Sequence, residues 1–331
     1  MNGEFLKRIS KIGFIFFMIL LISYLFIPAF DQKKVTVRIP RGTDSKNISR
    51  ILRENKVIPS WWLFFMLVKI LGWENDLKAG FYEFESPTLL SVLCKIKRGQ
   101  VKLFRITIPE GLPKWEVANL LEKKQIVDAR SFLEVVNNAQ IFYSEFPWLS
   151  SVNSLEGYLF PETYYFCMEE DPRKIAGEFL LKFEEKVLPI YRKEVKKNDF
   201  SLHQIIILAS IIEKEARVDS EKPIIAGVFY NRLKNGMKLM ADPTIKYALG
   251  DFHQKLTREM LRYPSIYNTY LYPGLPPGPI CSPGIESIKA AIHPAQVNYL
   301  YFVARGDGTH YFSQTYKQHL KAINMFQKVK G

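Results

Sequence analysis

The chain has 331 residues, 47% of them hydrophobic, with 46 basic against 33 acidic side chains and a formal net charge of +13. That length holds about two domains with real cores, and the apolar fraction excludes a chain that is disordered throughout. The basic excess points to an anionic partner (nucleic acid, anionic lipid or an acidic polymer) or simply to solvated lysines.

In chain order, the first signal is Ile12 to Phe30, a run of 19 residues without a charge. As a helix it would span roughly 28 Å, near the ~30 Å hydrocarbon core of a bilayer. Lys7, Arg8 and Lys11 precede it against Glu4 alone, which predicts a cytoplasmic N-terminus. The run is long for a signal-peptide core and ends without a small-x-small cleavage site. An uncleaved single-pass anchor is therefore expected, with everything after Asp31 outside the cytoplasm. That placement argues against nucleic acid as the anionic partner and makes the lipid bilayer one partner.

An internal repeat follows. Val37 to Ile58, "VRIPRGTDSKNISRILRENKVI", aligns without gaps on Ile106 to Val127, "ITIPEGLPKWEVANLLEKKQIV", at a shift of 69 positions. Each copy reads as a short strand, a Pro/Gly turn and a helix with apolar residues at i, i+3 and i+4. Thr43, Asp44 or Ser45 can cap the first helix, and Pro113 suits the opening of the second. Between the copies the pattern predicts a helix over Trp61 to Leu71, a strand over Gly80 to Phe84, a helix over Thr88 to Lys97 and a strand over Val101 to Ile108. Such β-α units resemble LysM-like glycan-binding modules, or form a plain spacer. The pattern loosens over residues 138–153, where a domain boundary near residue 150 is expected.

"LEGYLFPETYYF", Leu155 to Phe166, interleaves Glu156 and Glu162 with Tyr158, Phe160, Tyr164 and Tyr165. Carbohydrate clefts combine aromatic faces with acids in this way; an aromatic strand with a proline turn would read the same. A helix capped by Ser201 is expected over Leu202 to Ala216, apolar round nearly its whole circumference and so central to a core. It ends in Glu213 and Glu215, about 200° apart around the axis at 100° per residue, so both cannot enter one cleft. Glu213 has Arg217 at i+4 as a partner. Glu215 has Asp219 at i+4 and Ile211 and Ile212 behind it, surroundings that raise a carboxyl pKa and keep a proton available for donation. Glu215 is the candidate acid, and Glu213 the runner-up.

A second apolar helix is expected over Pro223 to Leu233, stopped by Asn235-Gly236, with Asn231 and Arg232 at its end able to reach substrate or to satisfy carbonyls. Asp242 is expected to cap a third, short helix opened by Pro243. The Pro/Gly-rich stretch from Tyr267 to Ala295 reads as a rigid, exposed wall, with a helix restarting at Ser282-Pro283 and running through Ala291. "YLYFVARGDGTHYFS" is a hairpin signal around Arg305 to Gly308, and a last helix begins near Tyr316. The five histidines (203, 253, 293, 310 and 319) form no metal-ligand spacing. The three cysteines, Cys94, Cys167 and Cys281, pair in no CxxC and read as small core residues. No phosphate-binding or dinucleotide fingerprint is present, so neither metal nor cofactor is expected.

"ASIIEKEA", "FYNRLKNGMKLMADPTIKYALG", "YNTYLYPGLPPGPICSPGIESIKAAIHPA" and "YLYFVARGDGTHYFS", in this order with "LEGYLFPETY" before them, resemble the MltG/YceG-type endolytic murein transglycosylases over nearly the whole chain. The resemblance implies an α+β protein: cytoplasmic residues 1–11, a transmembrane helix over 12–30, a LysM-like domain over 31–150, and a mixed α/β catalytic domain over 151–331. It implies a single-pass protein of the bacterial plasma membrane, its catalytic domain outside the cytoplasm. The implied activity is cleavage of the β-1,4 bond between N-acetylmuramic acid and N-acetylglucosamine within peptidoglycan strands, leaving 1,6-anhydro ends and trimming or terminating nascent strands. The essential acid is then the second glutamate of Glu213-Lys214-Glu215. Glu156, Tyr158, Glu162 and Asn231 are expected on the substrate side of the cleft, as are Asp242, Thr244, Asn268 and Tyr270. Cell-wall synthesis enzymes are possible partners. A non-catalytic glycan-binding scaffold and a muramidase-type hydrolase stay open as alternatives.

Overall fold

The computed structural model describes residues 34–194 and 200–327, together with Ser23, Leu25 and Phe26. The run from Ile12 to Phe30 therefore lies almost wholly outside the described residues; among those described, no helix is long and apolar enough to cross a membrane. The chain divides into two compact units, Met1–Phe104 with Tyr165–Glu169, and Arg105–Tyr164 with Glu170–Gly331.

The first unit is built from β1 (Val35–Ile39), α1 (Ser45–Glu54), α2 (Trp61–Ile70), β2 (Gly80–Phe84) and α3 (Leu89–Arg98). β1 and β2 pair antiparallel with Val37 opposite Tyr82 and Ile39 opposite Gly80. The period-2 alternation buries Val37, Ile39, Tyr82 and Phe84 on one face, against Ile48 and Leu52 of α1 and Phe64 and Val68 of α2. Asp44 caps α1 by accepting the Asn47 N–H at 2.9 Å.

The repeat read from the sequence is a structural one. β3 (Phe104–Thr107), α4 (Lys114–Lys123), α5 (Ala129–Val136) and β4 (Thr163–Phe166) repeat the strand–helix–helix–strand order, and α1 and α4 superpose in register at the 69-residue shift. Gly42 and Gly111 share φ +77°, and Lys56 and Gln125 share φ +57°, so each copy turns left-handed at the same two points. After each helix a buried valine or isoleucine reaches back, Val57 N–H to Leu52 and Ile126 N–H to Leu121. In the second copy the Ile108 N–H donates to the Glu162 carbonyl at 2.9 Å.

The boundary between the units falls between Phe104 and Arg105, not near residue 150. The reason is that the second copy is tied into the second unit: the Gly111 N–H donates to the Ser282 carbonyl and the Ser282 N–H to the Leu112 carbonyl, at 2.8 and 2.9 Å.

The second unit continues with α6 (Pro172–Glu194), α7 (Leu202–Glu215), α8 (Lys222–Lys234), α9 (Asp242–Leu249), α10 (Ile285–Ile292), the hairpin β5 (Tyr301–Ala304) and β6 (His310–Ser313), and α11 (Tyr316–Gln327). α7 is its axis. Ser201 and Gln204 close a capping box at its start, and every residue from Ile205 to Ile212 is buried, as an apolar circumference requires. α10 packs along α7, α8 and α9 also pack on α7, and α6 packs on α10. α6 supplies Ile175, Ala176, Phe179, Leu180, Phe183 and Val187 to the core. In the hairpin Phe302 faces Phe312, and Gly306 and Gly308 provide the positive φ of the turn.

The Pro/Gly stretch departs from expectation. From Gly278 to Gly284 it is buried, not an exposed wall. The Ile280 N–H donates to the Ser210 hydroxyl at 3.1 Å and the Cys281 thiol to the Ser210 carbonyl at 3.3 Å, so the strap threads the interior against α7. Gly157, at φ +85°, permits the crossing: a Cβ there would lie 2.5 Å from the Pro279 Cβ. Cys281 is buried as read, whereas Cys94 and Cys167 are half-exposed.

Candidate functional site

The site is set by how α7 ends. Ala216 leaves the helix in extended backbone, φ −77° and ψ 136°, so residues 213 and 217 are not stacked one turn apart. Glu213 consequently does not pair with Arg217. Its Oε2 accepts the Ser287 hydroxyl at 2.5 Å and the Gly284 N–H at 3.1 Å, and lies 3.5 Å from the buried Lys222 ammonium. Three donors hold it into the packing of α7 on α10, where it is a structural carboxylate.

Glu215 lies on another side of the same helix end and makes no hydrogen bond or ion pair among the described residues. Part of the residue stays accessible, but the protein crowds its carboxyl: burial, reinforced by the negative charge of Asp242, pushes its pKa up to about 8. The cations Arg232 and Lys246 act in the opposite direction without reversing it. The like charge is therefore Asp242, brought from α9, and not Asp219, which the end of the helix turns toward Lys222 at 2.9 Å. Asp242 sits at the first position of α9 and caps nothing; its carboxylate accepts the Tyr270 hydroxyl at 2.7 Å. Burial, then that hydrogen bond, raises the Tyr270 pKa and keeps the phenol protonated. Arg232 is aligned by its own donations to the Leu300 and Leu239 carbonyls at 2.7 and 2.6 Å.

A half-buried, protonated carboxyl with no protein partner, beside an acid–phenol pair and two cations, can give a proton to an oxygen brought against it and take one back. Of the residues read from the sequence, the structure gathers Glu215, Asp242 and Tyr270.

The others go elsewhere. Glu156 is 3% exposed and accepts the Lys114 N–H with both oxygens, at 3.1 and 3.2 Å, supplying the cap that Pro113 lacks at the start of α4. Burial pushes its pKa up to about 7. Tyr158 is fully buried with its hydroxyl 2.8 Å from His203 Nδ1, closed in by Trp148 and Phe183, so it stacks on no ligand. Glu162 is half-buried, and its carboxylate accepts its neighbour's Thr163 N–H. Asn231 spends its amide on the Val297 and Tyr299 carbonyls at 2.7 and 3.0 Å. Thr244 is buried on the Ala241 carbonyl and Thr269, and Asn268 shapes its own loop through the Leu261 and Tyr263 carbonyls. Asn231, Thr244 and Asn268 thus spend polar groups on backbone carbonyls.

Sequence reasoning missed one neighbour of the site. Trp115 of α4, Tyr247 of α9 and Phe252 just beyond it form a half-buried aromatic group, with the Lys214 ammonium 4.0 Å from the Phe252 ring centre. Nothing in the spacing of positions 115, 214, 247 and 252 announces it. Among the described residues, no group of His, Cys, Asp and Glu side chains could hold a metal ion.

A model of the YceG-like family matches residues 37–325. The chain is 35% identical over 308 residues to an endolytic murein transglycosylase of Bacillus subtilis, covering 88% of this chain and 84% of that protein. It is 29% identical to an endolytic murein transglycosylase of Streptococcus pneumoniae, covering 95% of this chain but 62% of that longer protein. Among solved structures, a yceG-like protein from Listeria monocytogenes matches with a TM-score of 0.61 at 35% identity, over 88% of this chain and 99% of that one.

Proposed function

The chain belongs to the YceG-like family, and we propose from that premise that it cuts peptidoglycan glycan strands internally as a lytic transglycosylase, with Glu215 as its acid and base. One observation carries the role of Glu215: its carboxyl makes no hydrogen bond or ion pair among the described residues, while burial and the Asp242 charge push its pKa up to about 8. The runner-up, Glu213, has its acceptor oxygen engaged by Ser287, Gly284 and Lys222.

The chemistry needs only one such group. Glu215 gives its proton to the glycosidic oxygen as the bond from C1 of the muramic residue to that oxygen breaks. The C6 hydroxyl of the same sugar closes on C1, and its proton passes to the Glu215 carboxylate, restoring the acid. An ordinary glycosidase uses a second carboxylate on water or on C1; here the substrate supplies the attacking oxygen, positioned within one molecule, an advantage of up to ~7–11 kcal/mol in ideal cases. Asp242, fixed by Tyr270, keeps Glu215 protonated before the step. Arg232 and Lys246 favour the carboxylate after it.

The same reading places Ile12 to Phe30 in the plasma membrane, N-terminus inside, and the second unit outside the cytoplasm; the charges before the run support it. The repeated strand–helix–helix–strand units support a LysM-like glycan-holding role. Glu215→Gln tests the assignment. Gln keeps the shape but donates no acidic proton, so release of fragments from purified glycan strands should fall ~10²–10⁴-fold. Undiminished release by this variant would remove Glu215 from the role of acid, and no release by the parent protein would return the chain to a scaffold role.

A further inference from the structure

Two of the aromatic groups in the second unit lie beside α7 and α9. In one, Tyr158 and Phe183 are fully buried and Trp148 is half-buried against them. In the other, Trp115, Tyr247 and Phe252, with Tyr267 behind, are all half-buried. Trp115 lies 5.1 Å from Tyr247 and 6.3 Å from Phe252 between ring centres, near-parallel to the latter at 18°. Tyr267 backs Tyr247 at 4.8 Å.

The group is also placed and braced. Glu156 lies under it, accepting both the Lys114 N–H beside Trp115 and the Tyr247 hydroxyl at 3.2 Å. Lys246 donates to the Phe252 carbonyl at 3.2 Å, and Lys214 covers the Phe252 ring. Lys214 is the chain neighbour of Glu215. Lys246, whose charge acts on Glu215, also donates to the Phe252 carbonyl, which links the group to the surroundings of the acid.

We propose that Trp115, Tyr247 and Phe252 form a shelf that binds a pyranose ring of the glycan strand next to the bond being cut, and that Glu156 is the positioning residue that holds it. This rests on the transglycosylase reading. The chemistry is that of an apolar sugar face: the C–H surface of a pyranose stacks on flat aromatic rings, as nucleobases do on aromatic side chains at single-stranded sites. The adjacent Lys214 and Lys246 suit the carboxylate-bearing substituents of muramic residues. The shelf also gives the second repeat copy a use, since α4 carries Trp115 into the site.

Binding and cutting are measured separately. In full-length protein carrying Glu215→Gln, peptide-free murein glycan strands are titrated by calorimetry. Adding Trp115→Ala or Phe252→Ala should weaken binding at least tenfold, and Trp115→Phe, which keeps a flat face, should stay within about threefold. In the active protein Trp115→Ala should raise KM with little change in kcat. Binding within twofold of the parent for both alanine variants, each still folded by circular dichroism, overturns the shelf. Should Trp115→Ala fail to fold, Phe252→Ala with Trp115→Phe decides alone. A failed transglycosylase reading shows differently, as the wrong product ends with glycan binding to the shelf intact.

Discussion

At the scale of single residues, Glu215 has a folded-state pKa of about 8 against 4.5 for a free glutamate. Between those values the folded chain holds a proton that the unfolded chain has released, so stability falls as pH rises through that window. Its stabilising share is complete below about 4.5 and lost above about 8. Glu215→Gln should therefore raise stability at pH 7.5 by on the order of 2–3 kcal/mol, discounted for the residue's solvent contact, with little change at pH 4.5. Urea denaturation at both pH values checks this; equal shifts at the two would show that Glu215 is not protonated in the folded state. Activity should have an alkaline limb near pH 8, where the acid loses its proton. Asp242→Asn removes the like charge and should move that limb to lower pH, read from kcat/KM against pH; an unmoved limb would mean that burial alone sets Glu215. Glu213→Ala leaves Lys222 buried with Asp219 as its remaining partner, and should cost about 2–3 kcal/mol without removing the acid. Loss of activity in a fully folded Glu213→Ala protein would transfer the catalytic role.

The isolation of Glu215 was legible from Ile211 and Ile212 behind it. Its like-charged neighbour was not, because counting i+4 to Asp219 assumes that the helix continues, whereas it ends at Glu215. Glu156 and Tyr158 were misread for a related reason: alternation of acids and aromatics does not say which face points inward.

At the scale of elements, α7 and the strap from Gly278 to Gly284 depend on each other. Ser210 meets Ile280 and Cys281, and Pro279 lies over Gly157. Gly157→Ala must place a Cβ into Pro279 from a backbone at φ +85°, combining a clash with a left-handed strain. It should cost about 2–4 kcal/mol by overpacking and backbone strain together, seen as a lower thermal midpoint with activity falling in parallel. An unchanged midpoint would mean that the strap is free to move. Elements with a strong local code were readable: α7 with its cap, the hairpin with its Gly306 and Gly308, and the 69-residue repeat. α6 was not recognised, although Ile175, Phe179, Phe183 and Val187 carry its i, i+4 spacing. The strap was taken for surface because proline and glycine favour loops; here Ser210 and Leu112 satisfy its backbone inside.

At the scale of the whole molecule, one unit holds Glu215, the proposed acid, and the other repeats its opening fold. The division at Phe104 was hidden because the second repeat copy looks like its twin in sequence but packs with the strap, a choice fixed by partners 170 residues away in the chain. Positions 115, 247 and 252 likewise meet only in three dimensions, so the shelf had no local signal. The central claim is that a single carboxyl, Glu215, drives an intramolecular closure of the substrate. Mass spectrometry of the fragments released from purified glycan strands measures it directly. The account predicts 1,6-anhydro-muramic ends as the main product, absent with Glu215→Gln; fragments ending mainly in reducing muramic acid would contradict it and make the chain a hydrolase.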